Sequence, residues 1–103
     1  MQNNGDVMSD SFYKAIADKH RRRILSLLRK NGTMAAGEIA KNFEISLPAL
    51  SEHLKVLRNA DLVSARKHKQ FVLYTLNTTV FEDVASWIKE LTDKKEVEHD
   101  ETE

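Results

Sequence analysis

The chain has 103 residues, 41% of them apolar and 31% charged, with no cysteine and a formal net charge of zero. That length holds one modest core and not two, and the lack of cysteine excludes disulfides, thiolate metal sites and cysteine redox chemistry. The N-terminal residues lack the basic start and apolar run of a signal peptide, and no apolar stretch reaches membrane-spanning length, so a cytoplasmic location is expected. An apolar fraction a little below the usual range leaves hydrophobic surface for a second copy of the chain to complete.

The charge is unevenly spread. Residues 1–18 carry a net −2, residues 19–69 a net +8, and residues 70–103 a net −6. A basic middle between acidic ends is the electrostatic pattern of a binding surface for a polyanion, with flanks that do not share its work. The plainer alternative is an ordinary solvated surface.

Residues 1–8 are expected to be disordered, and a folded unit is expected over residues 9–92. Ser9 or Asp10 can cap a first helix with Phe12, Ala15 and Ile16 on its apolar side and Tyr13 beside them. A second helix spans residues 20–30, where Ile24, Leu27 and Leu28 form a stripe backed by Leu25, and Asn31-Gly32 stops it. A third helix is expected over residues 38–43, buried through Ile39, Ala40 and Phe43, with Ile45 plugging the turn that follows.

The fourth helix, residues 46–60, is the most informative segment. Ser46 can cap it, and Pro48 suits a first turn whose N–H groups have no partner. Leu50, Leu54 and Leu57 make a narrow apolar stripe, and at 100° per residue Pro48, Ser51, Glu52 and Lys55 lie opposite. Short and polar side chains on the outer face of a helix suit a DNA major groove. Helix, short turn, helix is the helix-turn-helix arrangement, with its second member entering the groove.

Beyond Leu62 the period shifts to two. Residues 62–66 and 71–76 form two strands joined by Lys67-His68-Lys69-Gln70, a wing that leans on the helices through Val72, Tyr74 and Leu76. Asn77-Thr78-Thr79 caps a last helix to about Leu91, whose apolar positions (Val80, Phe81, Val84, Ala85, Trp87, Ile88, Leu91) exceed what one core-facing stripe needs. Residues 93–103 form an acidic tail expected to be disordered. The fold class is therefore mainly α with a small β-hairpin wing: four helices, two strands, one helix.

The candidate DNA-binding residues are Arg22, Lys41, Ser46, Pro48, Ala49, Ser51, Glu52, Lys55, Arg66, Lys67, His68 and Lys69. Ser46 is a cap and phosphate donor. Glu52 either accepts from a cytosine amine or is merely solvated, and Pro48 and Ala49 suit a thymine methyl. Lys41 and Arg58 steer, while Arg66, Lys67, His68 and Lys69 suit phosphates or a minor groove. Of Arg21, Arg22 and Arg23, which span three helical directions, one is expected on phosphate and another in a salt bridge, with Asp18 as its partner. His20 and His53 are assigned to the scaffold, and no metal or other cofactor is expected. Phe12, Tyr13, Ile16, Val84, Trp87, Ile88 and Leu91 are the candidate dimer residues. Catalysis is not expected: Ser51, Glu52 and His53 point 100° apart and cannot converge, and no glycine-rich phosphate loop is present.

The run Ala15-Ile16-Ala17-Asp18-Lys19-His20-Arg21-Arg22-Arg23-Ile24-Leu25 is similar to the A-L-x-D-P-T-R-R-x-I-L opening of the ArsR/SmtB family of small bacterial winged-helix repressors. Glu38-Ile39-Ala40 stands where that family's third helix begins. Ser51, His53, Leu54, Leu57, Leu62 and Val63 fall on its S-x-H-L-x-x-L-x-x-x-x-L-V signature. The resemblance runs over residues 12–91. Through M-A-A-G-E-I-A at 34–40, Pro48 and Y-T-L-N-T-T-V at 74–80 it points to the sporulation-delay autorepressor branch. Lys19 departs from the family's Pro, Glu52 stands where a His or neutral polar residue is frequent, and the wing turn lacks a Gly. The C-x-C of metal-sensing members falls on Ala35 and Gly37, and the only histidine after the wing is His99. The resemblance therefore implies double-stranded operator DNA and a second copy of the chain as partners, with autoregulation, and without the family's metal sensing. With no thiol or metal sensor to relieve repression, a second reading makes the fold an interaction module set by a regulatory protein partner, membrane-bound or not.

Overall fold

In a computed structural model of the chain, which describes residues 10–93, the first helix α1 (Asp10–Ile16) is followed almost at once by α2 (Lys19–Asn31). Asp18 makes that junction. Its backbone is extended (φ −105°, ψ 134°), and its carboxylate accepts from the N–H groups of His20 (2.8 Å) and Arg21 (3.2 Å), donors that have no partner within the first turn. Lys19 thus takes the first helical position. At the far end Gly32 adopts φ +78°, a conformation that costs glycine nothing, and its N–H returns to Leu28 O at 2.9 Å.

A strand absent from the sequence reading comes next. Met34 and Ala35 form β1 (Met34–Ala35), paired antiparallel with Tyr74 and Leu73. Then α3 (Ala36–Ala40) begins two residues earlier than the expected 38 and ends three before Phe43. Glu38 explains the shift. It sits at the third helical position and reaches back to the Ala35 N–H at 2.8 Å, one half of a capping box. The exit is closed by Asn42, whose side-chain amide donates to Glu38 O at 3.2 Å.

Helix α4 (Leu47–Asn59) starts at the N-cap Ser46, whose Oγ accepts from the Ala49 N–H at 3.2 Å. It ends in a two-bond C-terminal lock: Leu62 N–H reaches Leu57 O and Asp61 N–H reaches Arg58 O, both at 3.0 Å. This is the Schellman arrangement, and it needs a left-handed residue, which Asp61 supplies with φ +62°. Leu57 and Leu62, both fully buried, close the lock with the apolar contact that accompanies it.

Strands β2 (Val63–His68) and β3 (Phe71–Leu76) pair from Val63↔Leu76 to His68↔Phe71, leaving only Lys69 and Gln70 as the turn. The sheet order β1-β3-β2 makes β3 the central strand, so the wing is a three-stranded sheet and not the expected ribbon. Tyr74 and Leu76 pack on the core as expected, whereas Val72 lies beyond it, 36% exposed. Asn77 ties the corner, donating its N–H to Leu62 O and its side chain to Asp61 O, both at 2.9 Å. Its Oδ1 then accepts from Thr79 N–H and so caps α5 (Thr79–Thr92). The core joins Phe12, Ile24, Leu28, Ile39, Leu50, Leu54, Leu57, Leu62, Val63 and Val84. Each such side chain contributes about 1.5–3 kcal/mol by leaving water.

Candidate nucleic-acid interface

The two faces of α4 separate cleanly. Leu50, Leu54 and Leu57 are at most 3% exposed, while Pro48, Ser51, Glu52 and Lys55 all lie open to solvent. Ala49 and Val56 sit between, half-buried. The Ser46 hydroxyl accepts one backbone bond as the cap and keeps its O–H for a further acceptor. Leu47, which the sequence reading passed over, is 66% exposed. It continues the Leu50–Leu54–Leu57 stripe by one step, but here the helix has already passed the edge of the core.

On the wing, Arg66, Lys67, His68 and Lys69 are all exposed or half-exposed, and strand β2 carries three of them up to the two-residue turn. Lys69 has φ +60° and Gln70 does not have positive φ, the sign pattern of a II′ hairpin turn. The twist of the strands thus imposes on Lys69 a backbone that glycine would hold without strain. Phe71, opposite His68 at the tip, is 48% exposed. Among the described residues the carboxylate contacts are Lys89–Asp93, an ion pair, and Asp18–His20 and Asp18–His53, which are ion pairs only when the histidine is protonated. The cations Lys41, Lys55, Arg58, Arg66, Lys67 and Lys69 therefore have no carboxylate partner among those residues.

The three consecutive arginines are used differently from the expectation. Arg21 donates from Nε to Ala15 O at 2.7 Å and from a terminal nitrogen to Lys14 O at 2.8 Å, and its other terminal nitrogen lies 3.2 Å from His53 Nδ1. Arg22 donates to Ile16 O at 2.8 Å and stays exposed. Both guanidinium groups cap the last carbonyls of α1, of which Lys14 O also accepts from the Ala17 N–H at 3.3 Å. Arg23 lies over the Phe43 ring, 5.2 Å from its centroid. Asp18 is bound by the backbone of Arg21, so the expected arginine–Asp18 salt bridge gives way to carbonyl capping. Partial desolvation raises the Asp18 pKa, but the backbone N–H groups of Arg21 and His20, with the electrostatic attraction of a protonated His53 and of Arg21, outweigh it, holding the carboxyl below its ordinary 3.8.

Two of the seven candidate dimer residues face inward: Phe12 (4% exposed) and Val84 (7%) belong to the protomer's own core. Phe81 meets Phe12 edge-on at 5.9 Å, which docks α5 against α1 and absorbs that part of the apolar surplus. Ile16 and Trp87 are half-buried, while Tyr13, Ile88 and Leu91 are 38%, 48% and 64% exposed. Among the described residues no helix is long and apolar enough to cross a membrane.

A short helix, a turn and a groove-sized helix with a polar outer face, followed by a cation-tipped wing, define a winged helix-turn-helix protein. Residues 18–65 match the model of the bacterial regulatory protein arsR family. The chain is 45% identical over 85 residues to the transcriptional repressor SdpR of Bacillus subtilis, covering 82% of this chain and 93% of that one. It is 44% identical over 66 residues to the transcriptional activator HlyU of Vibrio cholerae, covering 64% and 60% of the two chains. The solved structure of HlyU from Vibrio cholerae superposes with a TM-score of 0.68 at 35% identity, over 89% of this chain and 98% of the other. The chain belongs to the ArsR family of DNA-binding transcriptional regulators.

Proposed function

We propose that the protein is a homodimeric repressor that binds an imperfect palindrome, its own operon included, with α4 in the major groove and the wing on the backbone or in the minor groove. The carrying observation is the exposed row Pro48, Ser51, Glu52 and Lys55, set opposite a buried leucine stripe inside the segment of net charge +8. On this reading Ser46, Pro48, Ala49, Ser51, Glu52 and Lys55 lie nearest base edges and the first phosphates. Arg22, Lys41, Arg66, Lys67, His68 and Lys69 supply the charge that displaces counterions. Arg22 does so while holding Ile16 O with one nitrogen. Similarity to a protein named a repressor supports the direction of regulation, although one relative is named an activator. Exposed Ile88 and Leu91 support a second copy as the dimer partner, and a DNA target places the protein in the cytoplasm.

Selection from random duplexes with the purified protein tests the reading. The expected outcome is a palindromic consensus with half-sites about one helical turn, roughly 34 Å, apart. A monomer indifferent to every duplex at low ionic strength overturns it.

A further inference from the structure

Asp18, His20 and His53 come together outside the proposed DNA contacts. Their ligating atoms, one from each side chain, all lie within 4.8 Å of one another. His20 Nδ1 is 3.7 Å and His53 Nδ1 3.9 Å from Asp18 Oδ1, and the two imidazole rings sit 5.4 Å apart, tilted by 35°. The side chains of Asp18 and His20 are each 33% exposed and that of His53 17%, so the cluster is recessed yet open to solvent. We propose that this trio is a binding site for one borderline divalent transition-metal ion, Zn²⁺ in chemical class, joining the start of α2 to the recognition helix.

The donor set selects the ion. Two imidazoles and a carboxylate suit zinc and its neighbours in the first transition row, whereas calcium and magnesium demand oxygen ligands. Tetrahedral bonds of about 2.1 Å place donors roughly 3.4 Å apart, so the two histidine–Asp18 separations need to shorten by only a few tenths of an ångström. Three protein ligands leave a fourth position for water, the open form of a zinc site. Both histidine distances run to Asp18 Oδ1, the oxygen that also accepts the capping N–H groups of His20 and Arg21, so an incoming ion shares that oxygen with the helix cap. The site coincides neither with Ala35 and Gly37 on the third-helix side nor with the last helix.

Arg21 sets the sign of a test. A neutral imidazole has one lone pair, and the Arg21 guanidinium lies 3.2 Å from the Nδ1 of His53. An incoming ion must displace that contact and bear the nearby positive charge, so the guanidinium competes with the metal. Arg21 would retain its two bonds to Lys14 O and Ala15 O.

The experiment is titration of the purified full chain, without DNA, with Co²⁺ followed by its ligand-field absorption, then displacement by Zn²⁺. Saturation at one ion per chain is expected. His20→Asn should weaken binding by at least the roughly 10–100-fold that removing even an outer partner costs. His53→Asn should do the same, Arg21→Gln should tighten binding, and His68→Asn on the wing should leave it unchanged. Circular dichroism checks each variant's fold. Should His53→Asn loosen α4, His20→Asn decides alone, because that half-exposed ring anchors no fully buried group. Absence of saturable uptake, or uptake that survives His20→Asn, overturns the proposal. Neither result bears on DNA recognition, which is measured separately.

Discussion

Asp18 shows how much one side chain can hold. Its carboxylate caps α2 and faces His53 of α4, so charge and hydrogen bonding act together. Because the folded-state pKa lies below the ordinary 3.8, the native state binds fewer protons than the unfolded chain around and below that pH. The stabilisation is therefore complete above the ordinary carboxylate range and disappears as pH falls through the depressed folded value. Asp18→Asn, which keeps an acceptor for the cap, should flatten this acid limb in urea melts taken from pH 6 to pH 2 (roughly the span over which such a group titrates). Asp18→Ala should cost about 1 kcal/mol even near neutrality, because it removes the cap itself. Equal acid limbs in wild type and Asp18→Asn would sink the assignment. Lys69 offers the opposite case, a residue under backbone strain. At φ +60° an L-residue costs about 1 kcal/mol that glycine does not. Lys69→Gly should raise the stability of the free protein by about that much in denaturant titration, and Lys69→Val should lower it.

At the scale of elements, legibility in the sequence followed the length and period of each one. Helices α2 and α4 carry 13 residues each and repeated leucine or isoleucine stripes, so their faces could be assigned by counting. Strand β1 has two residues and hence no period, and it exists only because β3 offers it a free edge. Helix α3 was displaced for a similar reason: Glu38 looks like a beginning in sequence but acts as the third-position cap of a helix already begun. The fates of Arg21, Arg22 and Arg23 depend on where α1 ends in space, which no local pattern encodes. Helix α4 and the wing, both legible from period alone, yield a prediction that separates their proposed roles. Lys67→Ala with Lys69→Ala should weaken binding on all duplexes alike and reduce the salt slope by about 2, one unit for each phosphate left without its lysine. Ser51→Ala or Glu52→Ala should leave the slope nearly intact. Those changes should instead alter preference at one or two base pairs by about 1–3 kcal/mol. Binding isotherms on a set of single-base operator variants at several salt concentrations distinguish the two. Indistinguishable behaviour of wing and helix variants would refute the division of labour.

For the whole molecule the proposed dimer raises the question of how two copies of α4 would be held at a fixed spacing. Helix α5 buries Val84 in the protomer and rests Phe81 on Phe12, leaving Ile88 and Leu91 one turn apart with large exposed areas. Covering what remains exposed of each in a two-fold interface would contribute at most about 1.5–3 kcal/mol per side chain in each copy, which favours the proposed dimer. Ile88→Glu with Leu91→Glu should therefore yield a monomer in sedimentation experiments. It should leave the protomer's own melting transition nearly unchanged, because neither side chain belongs to the core. Binding to a full palindrome should fall to the level seen for a single half-site, since the second recognition helix would no longer arrive at a high effective concentration. Half-site binding itself should persist, because α4 and the wing are untouched. A double variant that stays dimeric would move the interface elsewhere, whereas a monomer that retains full palindrome affinity would show that the two half-sites are read independently.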